Sequence, residues 1–299
     1  MPTSTGRAAG ALAVLSIIWG YNWVVMKQAS YYAGAFQFAA LRTGFGTLVL
    51  FGVLLVRGQS MRLVAPGRLL LLGLLQTAGF TALSQWALVT GGAGKTAVLA
   101  YTMPFWLLLL AWPLLGERLR GAQWGAVALA GAGLVLILEP WRLHTSFASD
   151  ALAVLSGLSW AASAIVAKRL RASVSIDLLS LTAWQLLFGT IVLVLVALLV
   201  PAPPLVMSTG LVLTVAYTAV VGTGLAWLLW LYVLDKLPAG IAGLGSLAIP
   251  AIGVLSAWLQ LGERPRTSEL SGMMLIVIAL GLLARVGMRQ LGTPRAART

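Results

Sequence analysis

The chain has no cysteine, a single histidine and only seven acidic residues, and charged residues of both signs make up 9% of its 299 positions. Disulfides, thiolate metal sites and cysteine nucleophiles are therefore excluded. A soluble domain carries roughly a quarter charged residues, so this chain lacks the polar surface a water-soluble fold of its size needs. The acids are Glu117, Glu139, Asp150, Asp177, Asp235, Glu263 and Glu269, all at the ends of apolar runs or between them, and His144 lies between two runs. No buried mid-span carboxylate is on hand to relay protons, so movement of a solute down its own gradient is expected rather than coupling through a buried acid. Enzyme signatures are missing as well: there is no HExxH, no histidine–carboxylate pair within an apolar run, and no phosphate-binding loop. Gly91-Gly92-Ala93-Gly94-Lys95-Thr96 has a superficial likeness to such a loop but lacks its spacing.

What the sequence has is apolar length: 60% of its residues are hydrophobic. Runs of 18 or more apolar residues recur, each long enough to cross a bilayer as a helix. Polar, glycine and proline breaks predict ten helices, at 8–27, 33–56, 67–90, 94–116, 120–138, 150–168, 177–199, 207–234, 238–262 and 267–286. The run from Ala8 to Met26 is too long for a signal-peptide core and reads as a retained first span. The class is an all-α polytopic membrane protein.

The net charge of +13 would suit nucleic acid, but the basic residues sit singly or in small groups at the ends of apolar runs, as topology signals do. With the N-terminus inside, fourteen of them (Arg7, Arg57, Arg62, Arg68, Arg118, Arg120, Lys168, Arg169, Arg171, Lys236, Arg285, Arg289, Arg295 and Arg298) fall on the cytoplasmic side. Five (Lys27, Lys95, Arg142, Arg264 and Arg266) fall outside, and Arg42 lies within a span. The bias predicts that both termini are cytoplasmic and that 291–299 is a cytoplasmic tail.

Gly-Glu-Arg occurs twice, at Gly116-Glu117-Arg118 and at Gly262-Glu263-Arg264, each time closing a long apolar run. At the same offset Pro104 lies over Pro250, Trp112 over Trp258 and Trp86 over Tyr232. At slightly smaller offsets Phe45-Gly46-Thr47 lies over Phe188-Gly189-Thr190, Trp19 over Trp160 and Lys27 over Lys168. Two copies of a five-helix unit are expected, 1–140 and 150–290. Because five is odd, the second copy enters from the opposite face. Such inverted repeats are a signature of secondary transporters, with a substrate site near the midplane between the halves.

These features together (Trp19-Gly20-x-Asn22 in the first helix, Arg42 in the second, Pro104 followed by Gly116-Glu117-Arg118 around the fourth, and the 5+5 pattern) resemble the drug/metabolite transporter superfamily, EamA type, and within it the YddG-like amino-acid exporters. The resemblance covers nearly the whole chain. It implies export of small metabolites, often amino acids including aromatic ones, through a central cavity lined largely by the third, fourth, eighth and ninth helices. It also implies a bacterial inner-membrane location.

Polar and aromatic residues within spans are the candidate lining of that cavity. Arg42 is the one charge well inside a span. It has two readings, a partner for a substrate carboxylate or a structural clamp on helix-end carbonyls, and the repeat sets Gln185 against it. Trp19 and Asn22, and likewise Trp160 and Ser163, are three residues apart and share a helical face, which suits an amino acid or a flat cation as well as plain packing. Gln76, Phe80 and Ser84 form a stripe on the third helix. Tyr101, Tyr217, Trp227 and Ser246 complete the set. Pro104 and Pro250 stand inside predicted helices, where proline kinks the backbone, and are the expected hinges of alternating access. Gly121-x-x-x-Gly125 and Ala130-Gly131-Ala132-Gly133 allow close helix contact, within the molecule or at a dimer seam.

No cofactor or metal is expected. The expected partners are a small-molecule substrate, an amino acid or similar metabolite, and membrane lipids. No nucleic acid is expected, and a monomer is the expected state, a dimer being open. The competing readings are an intramembrane lipid- or metabolite-modifying enzyme and a cationic-drug efflux protein of the same fold.

Overall fold

Prolines, glycines and short polar caps set the helix boundaries. A computed structural model describes residues 4–116, 121–139, 147–236 and 248–292. Ser246, His144, Glu117, Arg118, Arg120 and Arg142 lie outside the described residues. Ten helices follow in order among the described residues: α1 Ser4–Ala29, α2 Ala35–Val56, α3 Pro66–Thr90, α4 Ala93–Leu115, α5 Ala122–Leu138, α6 Phe147–Ser173 and α7 Leu178–Leu199. They are completed by α8, which runs through Thr209–Ala216, Tyr217–Leu225 and Ala226–Lys236, by α9 Ala248–Leu261 and by α10 Thr267–Gly292. Among the described residues there is no strand. Among the described residues seven helices are long and apolar enough to cross a membrane, and Ala122–Leu138, Ala248–Leu261 and Thr267–Leu283 are shorter apolar helices.

The Asp177 carboxylate accepts from the N–H groups of Leu179 (2.9 Å) and Ser180 (3.0 Å) and starts α7. The Ser208 hydroxyl does the same for α8 through Leu211 N–H at 3.2 Å. At the other extreme, α4 and α9 both stop at a glycine in the left-handed region, Gly116 at φ 69° and Gly262 at φ 67°. Only glycine takes that conformation without strain. The glycines of the two Gly-Glu-Arg sites thus serve as matched helix terminators.

Two helices depart from regular α geometry at matching places. Gly73–Gly79 in α3 and Tyr217–Leu225 in α8 are wound as wider π-helical turns. Such turns leave backbone carbonyls for outside donors. Ser159 of α6 donates to the Leu75 carbonyl (2.7 Å), and the Trp19 indole of α1 donates to the Gly222 carbonyl (3.1 Å).

A third departure concerns α4, which breaks after Ala100 and resumes at Met103. The sequence places Pro104 inside a helix. It stands instead in the first turn of the second segment, where its missing N–H costs nothing. Thr102 covers the break by donating its hydroxyl to the Leu99 carbonyl at 2.6 Å. Pro250 is buried at the third residue of α9.

Helix directions follow from contacts at the helix ends. Lys27, near the end of α1, donates to the carbonyls of Leu88 (2.7 Å) and Val89 (3.3 Å) near the end of α3. Lys95, at the start of α4, meets Asp150 at the start of α6 and Glu269 at the start of α10. Ser268 and Arg266 reach Glu139, just past α5. All of these mark one end of the bundle. At the other end Arg68, starting α3, donates to Ser173 at the end of α6, and Arg169 donates to the Leu114 carbonyl near the end of α4. So α1 finishes where α6 begins.

Close helix contact is bought with glycine. A Cβ on Gly46 (α2) would sit 2.8 Å from a methyl of Thr223 (α8), and one on Gly189 (α7) would collide with Thr77 Cβ (α3). Gly133 of α5 and Gly272 of α10 meet in the same way, each backbone against the other's carbonyl. Of the small residues of α5, Ala130 and Gly133 pack inside the molecule, whereas a Cβ on Gly131 would meet no atom within 4 Å. Large apolar side chains such as Ile17, Leu48, Leu198 and Leu259 stand exposed on the outside, a surface suited to lipid rather than water.

Candidate substrate cavity and its two ends

Between the halves lies a cavity of about 120 Å³, walled by α1, α2, α3, α4, α6, α7 and α8. Its aromatic wall comes from Trp19, Phe80, Tyr101, Trp160 and Trp227. The rings brace one another: Phe80 stands edge-on to Trp160 (centroids 4.9 Å), Trp160 lies parallel to Trp227 (6.3 Å), and Trp19 meets Trp227 edge-on (6.1 Å). The polar wall comes from Asn22, Arg42, Gln76, Thr77 and Gln185. Arg42 and Gln185, set against each other by the repeat, line the same space.

A wider cavity of about 740 Å³ shares Trp19, Gln76, Tyr101, Met103, Trp160 and Trp227 with the first and continues past Pro104 and Leu107 to Lys168 and Arg171. The shared side chains join the two into one path. Asp150 and Lys168 are 18 residues apart on α6, about 27 Å along a helix. The path therefore leads toward the Lys168 end, away from Asp150.

The Asp150 end is tied shut by ion pairs across the halves. Lys95 stands 3.0 Å from Asp150 and 2.9 Å from Glu269, all three largely buried. The Glu263 carboxylate accepts from the N–H groups of Ala93 (2.6 Å) and Gly94 (3.0 Å), the first turn of α4, where the helix dipole favours an anion. A Cβ on Gly92 would fall 2.8 Å from that carboxylate. The glycine run that superficially looks like a phosphate loop is thus filled by the chain's own glutamate.

Of the residues expected at the site, Trp19, Asn22, Arg42, Gln76, Phe80, Tyr101, Trp160 and Trp227 line the inner cavity, and Pro104 lines the wider one. Three are placed off it. Ser84 is fully buried and donates to the Thr81 carbonyl. The π-helical turns ahead of it break the spacing that put it in register with Gln76 and Phe80. Ser163 turns its hydroxyl back to the Trp160 carbonyl at 2.6 Å. Tyr217 donates to the Ile18 carbonyl at 3.1 Å and stacks edge-on with Tyr21, tying α8 to α1. The resemblance implied walls from α3, α4, α8 and α9. The described residues add α1, α2, α6 and α7, while α9 reaches only the wider cavity through Ile249.

Sequence reasoning missed Met26, Thr77 and Thr223 as lining residues. The threonines were legible only as twins in the repeat. Met26 gave no signal at all. Among the described residues no group of histidines and carboxylates has the arrangement of a metal site.

A ten-helix bundle with a central cavity entered from one end is the architecture of a small-molecule carrier. The EamA-like transporter family model matches this chain twice, at residues 7–139 and 148–285, and the chain belongs to that family. It is similar to a riboflavin transporter of Rhizobium johnstonii, 30% identical over 94% of this chain and 89% of the relative. It is similar also to a probable amino-acid metabolite efflux pump of Escherichia coli, 26% identical over 92% and 94%. The uncharacterized transporter YoaV of Bacillus subtilis is 24% identical over 88% and 91%. A solved crystal structure shares the fold at a TM-score of 0.68 with 18% identity, covering 95% of this chain and 99% of its own. The chain is a multi-pass membrane transporter.

Proposed function

We propose that the protein is a secondary transporter of the bacterial inner membrane that exports small metabolites, amino acids and aromatic amino acids foremost, by alternating access. The observation that carries this reading is the cavity itself. Both halves wall it, it is open toward one end, and ion pairs between the halves close the other. In this reading 1–140 and 150–290 are inverted repeats and 291–299 is a cytoplasmic tail. Supporting the repeat are the double family match, the two π-helical segments, the matched terminators Gly116 and Gly262, and the finish of α1 at the end where α6 begins.

The Lys168 and Arg171 end is the cytoplasmic one by its basic residues, so the conformation described faces inward. Trp19, Phe80, Tyr101, Trp160 and Trp227 form the wall for an apolar or aromatic body, and Asn22, Arg42, Gln76 and Gln185 hold its polar head. Pro104, beside the break in α4, and Pro250, buried in α9, are hinge candidates.

The test is efflux from inside-loaded proteoliposomes holding the purified protein, with radiolabelled amino acids. Efflux above empty vesicles is expected, and no efflux of any amino acid would refute the reading.

A further inference from the structure

Arg42 is the one charged side chain on the inner cavity, and among the described residues it has no carboxylate partner. It is 9% exposed. Its Nε has no hydrogen-bond partner, and one terminal N–H donates to the Met26 sulfur at 2.9 Å. The Asn22 amide donates to that same sulfur at 3.1 Å. A thioether is a weak acceptor, and here it receives two donors, one of them a guanidinium. Burying a charge is costly unless it is paired. The clamp reading of Arg42, donation to helix-end carbonyls, finds no such bond among the described residues. Five acids are engaged elsewhere: Glu139 with Ser268, Asp150 and Glu269 with Lys95, Asp177 at the start of α7, and Glu263 at the start of α4.

We infer that Arg42 and Asn22 form an anion subsite that takes the carboxylate of the transported molecule, the carboxylate replacing the Met26 sulfur as their shared acceptor. The two donors already converge on one acceptor, so a single carboxylate in its place is within reach of both. Across the cavity Gln185 presents an amide oxygen without a partner, a neutral acceptor for an N–H or O–H of the same molecule. No acid lines the described cavity to balance an unaccompanied cation. The aromatic wall takes the body and Arg42 takes the head. The substrate class is thus an apolar or aromatic body with a single carboxylate, and cations of the same body are rejected. This rests on the transport reading above and narrows it.

The experiment titrates the purified protein in detergent with four probes of one body, by calorimetry and by quenching of its own tryptophan fluorescence. The probes are L-phenylalanine, phenylpropionate, L-phenylalaninamide and phenethylamine. The two carboxylates are expected to bind roughly ten- to hundred-fold more tightly than the amide and the amine, the equivalent of one charge-assisted hydrogen bond. Arg42→Gln is expected to erase that difference. Met26→Leu, which removes the competing acceptor, is expected to widen the preference for the carboxylates over phenethylamine a few-fold. Should Arg42→Gln not fold, the ladder of probes on the natural protein and on Met26→Leu still decides. Equal binding of phenethylamine, a carboxylate preference that survives Arg42→Gln, tighter binding of neutral riboflavin than of either carboxylate, or no binding of any carboxylate would overturn the subsite. Binding is read without vesicles. A carboxylate that binds but is not moved by proteoliposomes would refute transport and leave the subsite standing.

Discussion

The hydroxyls of Thr47 and Thr190 lie 3.4 Å apart, although the residues are 143 positions apart in sequence. They are the last residues of the duplicated Phe-Gly-Thr triplet. On either side of this contact Gly46 seats Thr223, and Gly189 seats Thr77. The seam between α2 and α7 is therefore built from the same pieces twice, as expected along the axis of an internal two-fold.

These seats should tolerate little change. A methyl at Gly189 would collide with Thr77 Cβ and lie 2.6 Å from the Gly73 carbonyl. Gly189→Ala is expected to cost about 2–3 kcal/mol, because backbone as well as side chain must move. A methyl at Gly52, in the same helix as Gly46, would meet no atom within 4 Å, so Gly52→Ala should be neutral or stabilising by up to about 1 kcal/mol. Thermal unfolding of the two variants in one detergent would check the contrast.

The natural absence of cysteine makes topology simple to test. Ser60→Cys lies beyond α2 at the Arg68–Ser173 end, and Arg264→Cys lies at the Lys95 end. In intact cells a membrane-impermeant maleimide is expected to label the second and spare the first. Labelling of both from outside would remove the inverted repeat and the inward-facing assignment with it.

Lys95 holds two carboxylates of the second half, and removing it takes the shared cation from both. Lys95→Met is expected to destabilise the closed end by about 3 kcal/mol, as breaking a largely buried pair does. It should also raise impermeant-maleimide labelling of a cysteine placed at Ala97, fully buried two residues further along α4. An unchanged labelling rate would mean that the ion pairs do not hold this end shut.

The clasp made by Glu263 has a counterpart in the sequence. Ala93-Gly94 recurs as Ala239-Gly240 and Glu263 as Glu117, 146 residues apart in each case. Glu263→Gln is expected to weaken the clasp on α4 and favour the outward-open state. Glu117→Gln, outside the described residues, is expected to shift the balance the other way. Two single-cysteine reporters, one at each end, measure both shifts, and parallel shifts would contradict alternation between equivalent clasps.

No described carboxylate borders the cavity, so efflux driven by a substrate gradient should persist when the proton gradient across proteoliposomes is collapsed. Loss of most of the flux would show coupling.

The all-helical class and the number of helices were legible because hydropathy and its punctuation are local in sequence. The two Gly-Glu-Arg sites marked both helix ends, and the cavity's aromatic wall followed from tryptophans within apolar runs. The π-helical turns were not legible. Gly73–Gly79 and Tyr217–Leu225 contain nothing that forbids an ordinary helix, and their shape answers to donors on other helices. Hydroxyls misled for a related reason: whether Ser84 or Ser163 faces a cavity or bonds back to its own helix is decided by packing. The ion-pair end was invisible because Lys95, Asp150 and Glu269 come together only in three dimensions.

Gly46 and Gly189 stand near the midpoints of Ala35–Val56 and Leu178–Leu199. Each helix has 22 residues, about 33 Å of length. A seesaw pivoting there by ~10° lifts each tip by roughly 3 Å, enough to part a salt bridge at one end. Such a lever needs no bending of either beam. At its fulcrum a single added methyl jams the stroke.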